Sequence, residues 1–128
     1  LIIRGICVLK AGVPGLSDNI EAFGVVDRFL EHSRVFAFSN AGKAEVFLAS
    51  ADLMSRNLDH RIEVVCPIKS ESLKTELLDM LHIQQKDNVK ARSLHPDKIN
   101  EYRQAQEGEA PFRSQEEIYK YLKSKTEA

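Results

Sequence analysis

The alternation of strand-like and helix-like apolar patterns is the feature that most restricts the fold of this chain. Apolar runs typical of β-strands cover four segments, residues 1–8, 35–38, 45–49 and 61–68. Apolar residues at helical spacing cover three further segments, which begin at residue 18, at Ser70 or Ser72, and at Ser114 with Glu117 as its capping partner. This order predicts an α/β fold, a mixed sheet covered by helices.

Turn-forming residues separate these segments. Residues 11–17 hold two glycines and a proline and must form a loop. Residues 39–43 join two strand-like runs through a connection typical of a β-hairpin. Between residues 86 and 113 the pattern fades, and it favours one short helix at residues 98–104. The sequence therefore predicts a hairpin within the sheet and an irregular region before the last helix.

The bulk composition narrows the classes of function. The chain has 128 residues, which is enough for one domain with a buried core. Hydrophobic residues make up 43% and charged residues 29%, as in ordinary soluble globular proteins. The net charge is −1, and no apolar run reaches the length of a transmembrane helix. A nucleic-acid partner and a transmembrane segment are therefore not predicted, and a polyanion site must be a local basic cluster.

The cysteines and the first residue indicate the setting of the chain. Cys7 and Cys66 lie in apolar, strand-like runs, and buried free thiols in an intracellular protein are the simplest interpretation, with a disulfide as the alternative. Neither has a second cysteine or histidine at the spacing of a metal site. Because Leu1 is not a methionine and opens a strand-like run, we expect this chain to be a piece of a longer protein.

A histidine and an arginine stand at the head of the second strand-like run. His32 and Arg34 are two residues apart, so in a strand their side chains point to the same face. A guanidinium neutralises phosphate oxygens, and an imidazole can donate a proton, accept one or attack. This pair is a candidate phosphate site, with a capping or surface histidine as the alternative.

Polar residues also follow the third strand-like run, where the chain leaves the predicted sheet. They are Ser50, Asp52, Arg56 and Asn57. Short polar side chains at a strand end can orient a neighbouring imidazole or a phosphate. The alternative is an Asx-type turn that only ends the strand.

Arg4 lies within the first apolar run. Burying a guanidinium without an anionic partner is costly, so Arg4 either pairs with a carboxylate or lines an anion-binding cleft. Gly5 and the glycine-containing loop that follows permit a close approach of the backbone to a ligand.

Three stretches of this sequence resemble the C-terminal catalytic half of bacterial polyphosphate kinases. They are LIIRGICVLKAGVPGLSDNI, VVDRFLEHSRVFAF and VFLASADLMSRNLDHRIEVVCPI, within residues 1–68. The first, an Arg-Gly strand followed by Gly-Val-Pro-Gly-Leu-Ser, is the most distinctive. The resemblance implies a phospholipase D-like half-domain, and it makes residues 1–128 a fragment of the catalytic domain whose upstream part is absent here.

The region is also similar to the second half of the phospholipase D superfamily pattern, from which it departs at three positions. Arg34 replaces a lysine, Ser39 stands where the pattern has an aspartate, and Asp52 stands where it has an asparagine. These departures argue against a phospholipase D-type phosphodiesterase half-site and agree with the kinase branch. A non-catalytic assembly module is the other alternative.

The resemblance implies a reaction and a set of roles. Polyphosphate kinases transfer the terminal phosphoryl group of ATP reversibly to inorganic polyphosphate through a phosphohistidine, which would lie upstream of this chain. His32 matches a second essential histidine, catalytic and phosphate-binding, and Arg4 matches an arginine that binds the ATP phosphates. We expect both to open onto one cavity, where His32 donates a hydrogen bond or shuttles a proton. Possible supporting residues, from the superfamily layout, are Arg34, Ser50, Asp52 and Arg56.

The same resemblance implies the remaining partners. Mg²⁺ accompanies ATP, with its protein ligands expected outside this fragment. The full-length enzyme is expected to be a cytoplasmic homo-oligomer, with peripheral association at the inner membrane left open. The isolated fragment is expected to be inactive.

Overall fold

The computed structural model of the chain describes residues 1–97 and 100–127. It divides into two compact units, Leu1–Glu31 with His82–Ala128, and His32–Leu81. The strands among the described residues are β1 (Phe23–Val25), β2 (Val35–Phe38), β3 (Glu45–Ala49), β4 (Val65–Pro67) and β5 (Ala91–Ser93). The α-helices among them are α1 (Ser55–Leu58), α2 (Glu71–Gln85) and α3 (Ser114–Thr126).

A two-stranded antiparallel ladder forms the centre of the first unit. β1 pairs with β5, so that Phe23 lies opposite Ser93 and Val25 lies opposite Ala91. Phe23, Val25 and Ala91 are buried together, and Ile2 packs against them. Aromatic and β-branched side chains suit a half-buried pleated surface, and removing them from water stabilises the pairing. This small cluster is the hydrophobic core of the unit.

The first three residues lie beside β1. The N–H of Ile3 donates to the carbonyl of Phe23 at 2.8 Å, and the N–H of Phe23 donates to the carbonyl of Leu1 at 3.0 Å. Gly24 permits this close approach, because a Cβ there would lie 2.6 Å from the Ile3 carbonyl oxygen. The position of the N-terminal segment therefore depends on a residue without a side chain.

Two predicted elements of the first unit are wrong. The predicted strand over residues 1–8 pairs only near its start, and Ile6 and Val8 are 84% and 94% exposed. The predicted helix over residues 18–30 contains β1 instead. Its apolar residues do recur at helical spacing, but pairing with a distant strand overrides that local preference.

Three antiparallel strands form the sheet of the second unit, in the order β2–β3–β4. The predicted hairpin is confirmed: Phe36 of β2 lies opposite Phe47 of β3, and a 3₁₀ turn at Asn40–Gly42 joins the strands. Of the predicted strand over residues 61–68, only β4 pairs with β3. The local turn chemistry between two apolar runs was sufficient to predict this part of the sheet.

The two later helices are confirmed. α2 begins one residue after Ser70, and α3 begins at Ser114 as predicted. The proposed capping pair of Ser114 with Glu117 is wrong, because α3 has no such side-chain cap. For the short helix predicted at residues 98–104, residues 98 and 99 lie outside the described residues, and the described remainder is not helical.

The carboxylate of Asp87 takes the place of the expected cap. One of its oxygens accepts the N–H groups of Val89, Lys90 and Ala91 at 2.9, 2.6 and 3.0 Å. The other accepts the N–H and the hydroxyl of Ser114 at 2.8 and 2.7 Å. Asp87 is 1% exposed. A buried carboxylate thus satisfies an otherwise unpaired N–H at the start of α3 and fixes the turn that leads into β5.

Two further predictions concern the cysteines and a possible membrane-spanning helix. Both cysteines are free, but Cys66 is exposed on the edge strand β4 and Cys7 is half-buried, so the expectation of buried thiols is wrong for Cys66. Within residues 1–97 and 100–127, none of the helices combines the length and the apolar character needed to cross a membrane.

Candidate functional site

His32 and Arg34 are in contact at the start of β2 in the second unit. The Nη1 of Arg34 donates to the backbone carbonyl of His32 at 3.2 Å and lies 3.5 Å from both ring nitrogens. His32 is exposed, and Arg34 is half-buried. The two side chains that the sequence analysis paired are therefore together, with the imidazole accessible to a ligand.

Asp52 holds the guanidinium of Arg34 from its other side. Its Oδ1 accepts a hydrogen bond from the Nε of Arg34 at 2.8 Å, and its Oδ2 lies 3.8 Å from the Nη2 of Arg56. The hydrogen bond from Arg34 is the main cause that lowers the pKa of Asp52, and it outweighs the opposing effect of burial. The carboxylate is therefore ionised at neutral pH. It leaves the Nη groups of Arg34 directed toward His32.

A second polar cluster encloses the segment that carries Asp52. The hydroxyl of Ser50 donates to one oxygen of the Glu63 carboxylate, and the amide of Asn57 donates to the other at 2.9 Å. The Ser50 hydroxyl also accepts the N–H of Val64 at 3.0 Å. Hydrogen bonds from Ser50 and Asn57 lower the pKa of Glu63. This carboxylate is thus ionised and saturated by neighbours.

Glu63 was not among the site residues predicted from the sequence. Residues 61–68 were predicted to form a strand without a role in the site. An acidic residue in this otherwise apolar run could have indicated a carboxylate with polar partners. Asn57, noted as a polar residue after the strand, is 2% exposed, and its Oδ1 has no hydrogen-bond partner within the described part of the chain.

Arg4 belongs to the first unit and does not lie in a buried strand. The residue is exposed, so the expectation of a buried guanidinium is wrong. Among the described residues, no carboxylate lies within ion-pair distance of Arg4. The sequence left two alternatives for Arg4, pairing with a carboxylate or lining an anion-binding cleft. The first is not observed among the described residues. The convergence of Arg4 and His32 on one cavity stays a prediction.

The described residues offer no evident magnesium site. Residues 1–97 and 100–127 contain no group of three or more histidine, cysteine, aspartate or glutamate side chains arranged to hold a metal ion. Asp52, beside His32 and Arg34, is already engaged by two guanidinium groups. Carboxylate oxygens that are free to coordinate are what Mg²⁺ needs, so these residues do not fit a metal centre.

An open cavity of about 860 Å³ lies in the first unit. Its lining includes Phe23, Asp87, His95, Tyr102 and Arg103. None of the site residues predicted from the sequence lines it. The guanidinium of Arg103 stacks 4.1 Å from the ring centroid of Phe23 and donates to the carbonyl of Gln85, which gives it a structural part in that unit.

Comparison with known proteins identifies the family. The family described as polyphosphate kinase C-terminal domain 2 matches residues 1–115. The polyphosphate kinase of Vibrio cholerae serotype O1 is 50% identical over 124 residues, which are 97% of this chain and 18% of that protein. That of Staphylococcus saprophyticus is 44% identical over 115 residues, 90% of this chain and 16% of the relative.

A solved structure supports the same relationship. The crystal structure of polyphosphate kinase from Porphyromonas gingivalis superposes with a TM-score of 0.93 at 47% identity, over 98% of this chain and 19% of that one. The mixed α/β fold predicted from the sequence is confirmed by this match. The matched relatives are kinases, and the part of them that matches this chain has a mixed α/β fold. The chain belongs to the polyphosphate kinase family, and it spans less than a fifth of the length of these relatives.

Proposed function

We propose that this chain is part of the catalytic domain of an enzyme that transfers the terminal phosphoryl group of ATP reversibly to inorganic polyphosphate through a phosphohistidine. Membership of the polyphosphate kinase family supports the reaction. The phosphorylated histidine lies in a part of the enzyme upstream of these residues. The observation that carries the proposal is the contact between the exposed imidazole of His32 and the guanidinium of Arg34.

His32 faces the transferring phosphoryl group as a hydrogen-bond donor or proton shuttle. Because the imidazole is exposed, its ring nitrogens are accessible to a phosphoryl group. Arg34, held by Asp52 through its Nε, presents its Nη groups beside the ring. Charge-assisted hydrogen bonds from a fixed guanidinium suit phosphate oxygens. Phosphoryl transfer depends mainly on such positioning and charge neutralisation.

Arg4 binds the phosphates of ATP. Its guanidinium is exposed and has no carboxylate within ion-pair distance in the described part of the chain, so binding an anion requires no existing ion pair to break. A permanently charged side chain in this state attracts polyphosphate groups strongly. Arg4 is thus the proposed phosphate-binding group of the first unit.

We also propose the setting of the enzyme, supported by its membership of the family. Mg²⁺ enters with ATP, and its protein ligands lie outside these residues. The full-length enzyme is a cytoplasmic homo-oligomer. Alone, the 128-residue chain completes no turnover, because the histidine that carries the phosphoryl group is supplied by the rest of the enzyme.

A chimaeric enzyme tests this proposal. The matching 124-residue segment of the Vibrio cholerae polyphosphate kinase is replaced by that of this chain, and polyphosphate synthesis from ATP and Mg²⁺ is measured. The unsubstituted chimaera is expected to be active. His32→Ala is expected to reduce kcat by about 100-fold or more, since a proton donor or acceptor is lost. Arg4→Ala is expected to raise the KM for ATP.

The matched control is His60→Ala, which removes another exposed imidazole of the second unit. It should leave synthesis unchanged. A folded but inactive chimaera would overturn the proposed function. Near-normal synthesis by His32→Ala would remove His32 from the site, and polyphosphate made by the 128-residue chain alone would contradict the need for an upstream histidine.

A further inference from the structure

We infer that Glu63 is a positioning residue of the proposed phosphate site, acting on His32 and Arg34 through the segment that carries Asp52. This inference rests on the proposed function for its catalytic consequence. Glu63 was not among the residues singled out from the sequence. Its side chain is 14% exposed, and both of its carboxylate oxygens accept hydrogen bonds from other side chains.

The first step is that one carboxylate fixes both ends of a short segment. Ser50 follows β3 directly, and Asn57 lies in α1. Both side chains donate to Glu63, one to each oxygen. The backbone N–H of Ser50 donates in addition to the carbonyl of Val64 at 3.0 Å. Residues 50–57 are therefore held to the strand-like segment beside them at each end, rather than forming a free loop.

The second step is that this segment carries the acceptor of Arg34. Asp52 lies between the two fixed ends, and its Oδ1 accepts from the Nε of Arg34 at 2.8 Å. The guanidinium of Arg34 in turn contacts the ring and the carbonyl of His32. A shift of the segment would move Asp52, and with it the guanidinium beside the imidazole. Glu63 touches neither His32 nor a substrate, so its role is indirect.

The third step is energetic. Asn57 is 2% exposed, and its only described hydrogen bond through the side-chain nitrogen is to Glu63. A buried amide that loses its acceptor is left without a hydrogen-bond partner, which is unfavourable. The conformation of α1 therefore depends on this carboxylate. Hydrogen bonds to a charged acceptor are stronger than neutral ones. In Glu63→Gln the amide nitrogen would face either the amide of Asn57, as donor against donor, or the hydroxyl of Ser50, which would have to rotate and accept instead of donating.

The first experiment observes His32 directly and needs no catalysis. Glu63→Gln is made in the 128-residue chain, and the imidazole resonances of His32 are recorded by NMR. The expected result is a clear displacement of those resonances. Glu71→Gln is the matched control, since Glu71 pairs only with Lys74 on the exposed start of α2. Unchanged His32 resonances in a folded Glu63→Gln chain would overturn the inference.

The second experiment measures the consequence for synthesis in the chimaera. Glu63→Gln is expected to lower kcat by about tenfold or more, because small displacements of catalytic groups are costly, while the KM for ATP stays within about twofold. Added to Asp52→Asn, the same change should have little further effect, since both act through one interaction. Fully additive losses would mean that Glu63 only supports the fold.

Ser50→Ala covers the case in which Glu63→Gln fails to fold. It removes one of the two hydrogen bonds to Glu63, together with the acceptor of the Val64 N–H, and leaves Asn57 paired with Glu63. The expected displacement of the His32 resonances is smaller but in the same direction, and its absence would overturn the inference. An unsubstituted chimaera without synthesis would refute the proposed function alone, because the NMR measurement on the chain still decides the role of Glu63.

Discussion

Asp87 in the first unit and Asp52 in the second use their carboxylates in opposite ways. In the first unit, Asp87 is 1% exposed and accepts mainly backbone N–H groups. In the second, the side chain of Asp52 is 38% exposed, accepts a hydrogen bond from the guanidinium of Arg34 and forms an ion pair with that of Arg56. The buried carboxylate of Asp87 binds the backbone and supports the fold, whereas the partly exposed carboxylate of Asp52 binds side chains of the proposed site. The comparison separates residues that stabilise the chain from those that arrange its site.

Asp87→Asn tests this comparison with the largest expected effect. The amide can still accept on one oxygen, but its nitrogen cannot accept the N–H of Ser114 or the hydroxyl beside it. We expect a loss of about 3 kcal/mol in the free energy of unfolding, from urea denaturation followed by circular dichroism. Hydrogen exchange at Val89, Lys90 and Ala91 should also become faster.

Asp59→Asn is the control for that measurement, since Asp59 is exposed in the second unit. It should leave the denaturation curve within error of the parent chain. If Asp87→Asn were equally silent, the buried carboxylate would not hold the fold, and the contrast between the two units would be lost.

The pH dependence of stability gives a second, smaller effect. Burial alone would raise the pKa of Asp87, but hydrogen bonds from the Ser114 hydroxyl and from backbone N–H groups outweigh it and lower that pKa below the ordinary value of 3.8. The stabilisation is therefore complete above pH 3.8 and is lost as the pH falls through the lower folded value. The stability difference between the parent chain and Asp87→Asn should narrow in that range.

Urea denaturation of both chains at a series of pH values from neutral to strongly acidic checks this. One proton can change the free energy of unfolding by at most about 1.4 kcal/mol per pH unit. Asp27, whose pKa is lowered chiefly by its hydrogen bond from Arg113, contributes to the slope of both chains and cancels in their difference. A difference that stays constant down to low pH would show that folding does not lower the pKa of Asp87.

Arg56→Ala is expected to have the smallest effect. Its guanidinium is 70% exposed and lies 3.8 Å from Asp52, and exposed ion pairs of this kind contribute little to stability. The thermal midpoint should not change measurably, while Arg34→Ala, which removes the 2.8 Å hydrogen bond to the same carboxylate, should lower it. Equal shifts of the thermal midpoint would mean that the Arg34–Asp52 hydrogen bond stabilises the chain no more than the Arg56–Asp52 ion pair does.

Local signals in the sequence were enough for part of the fold. The hairpin of β2 and β3 follows from turn formers between two apolar runs, and α2 follows from leucines at helical spacing after a serine. β1 could not be found in this way. Its pairing with β5 depends on residues far along the chain, and the apolar residues around Phe23 fit a helix equally well when considered locally.

The candidate site could be predicted only in part, because several of its contacts join residues that are distant in the sequence. His32 and Arg34 are neighbours in sequence, and their contact follows from the two-residue period of a strand. The pairing of Arg34 with Asp52 and of Ser50 with Glu63 arises only when β2, β3 and β4 align. Likewise, the cap of α3 comes from Asp87 instead of the nearby Glu117, which no local motif specifies.

Gly24 makes the start of the chain sensitive to a distant substitution. A methyl group there would meet the carbonyl oxygen of Ile3 at 2.6 Å, and Ile3 is the residue directly before Arg4. Filling that space would push the opening segment away from β1 and carry the arginine with it. Under the role proposed for Arg4, nucleotide affinity would then be adjustable from the middle of a buried strand, by a change that adds no charge and touches no phosphate.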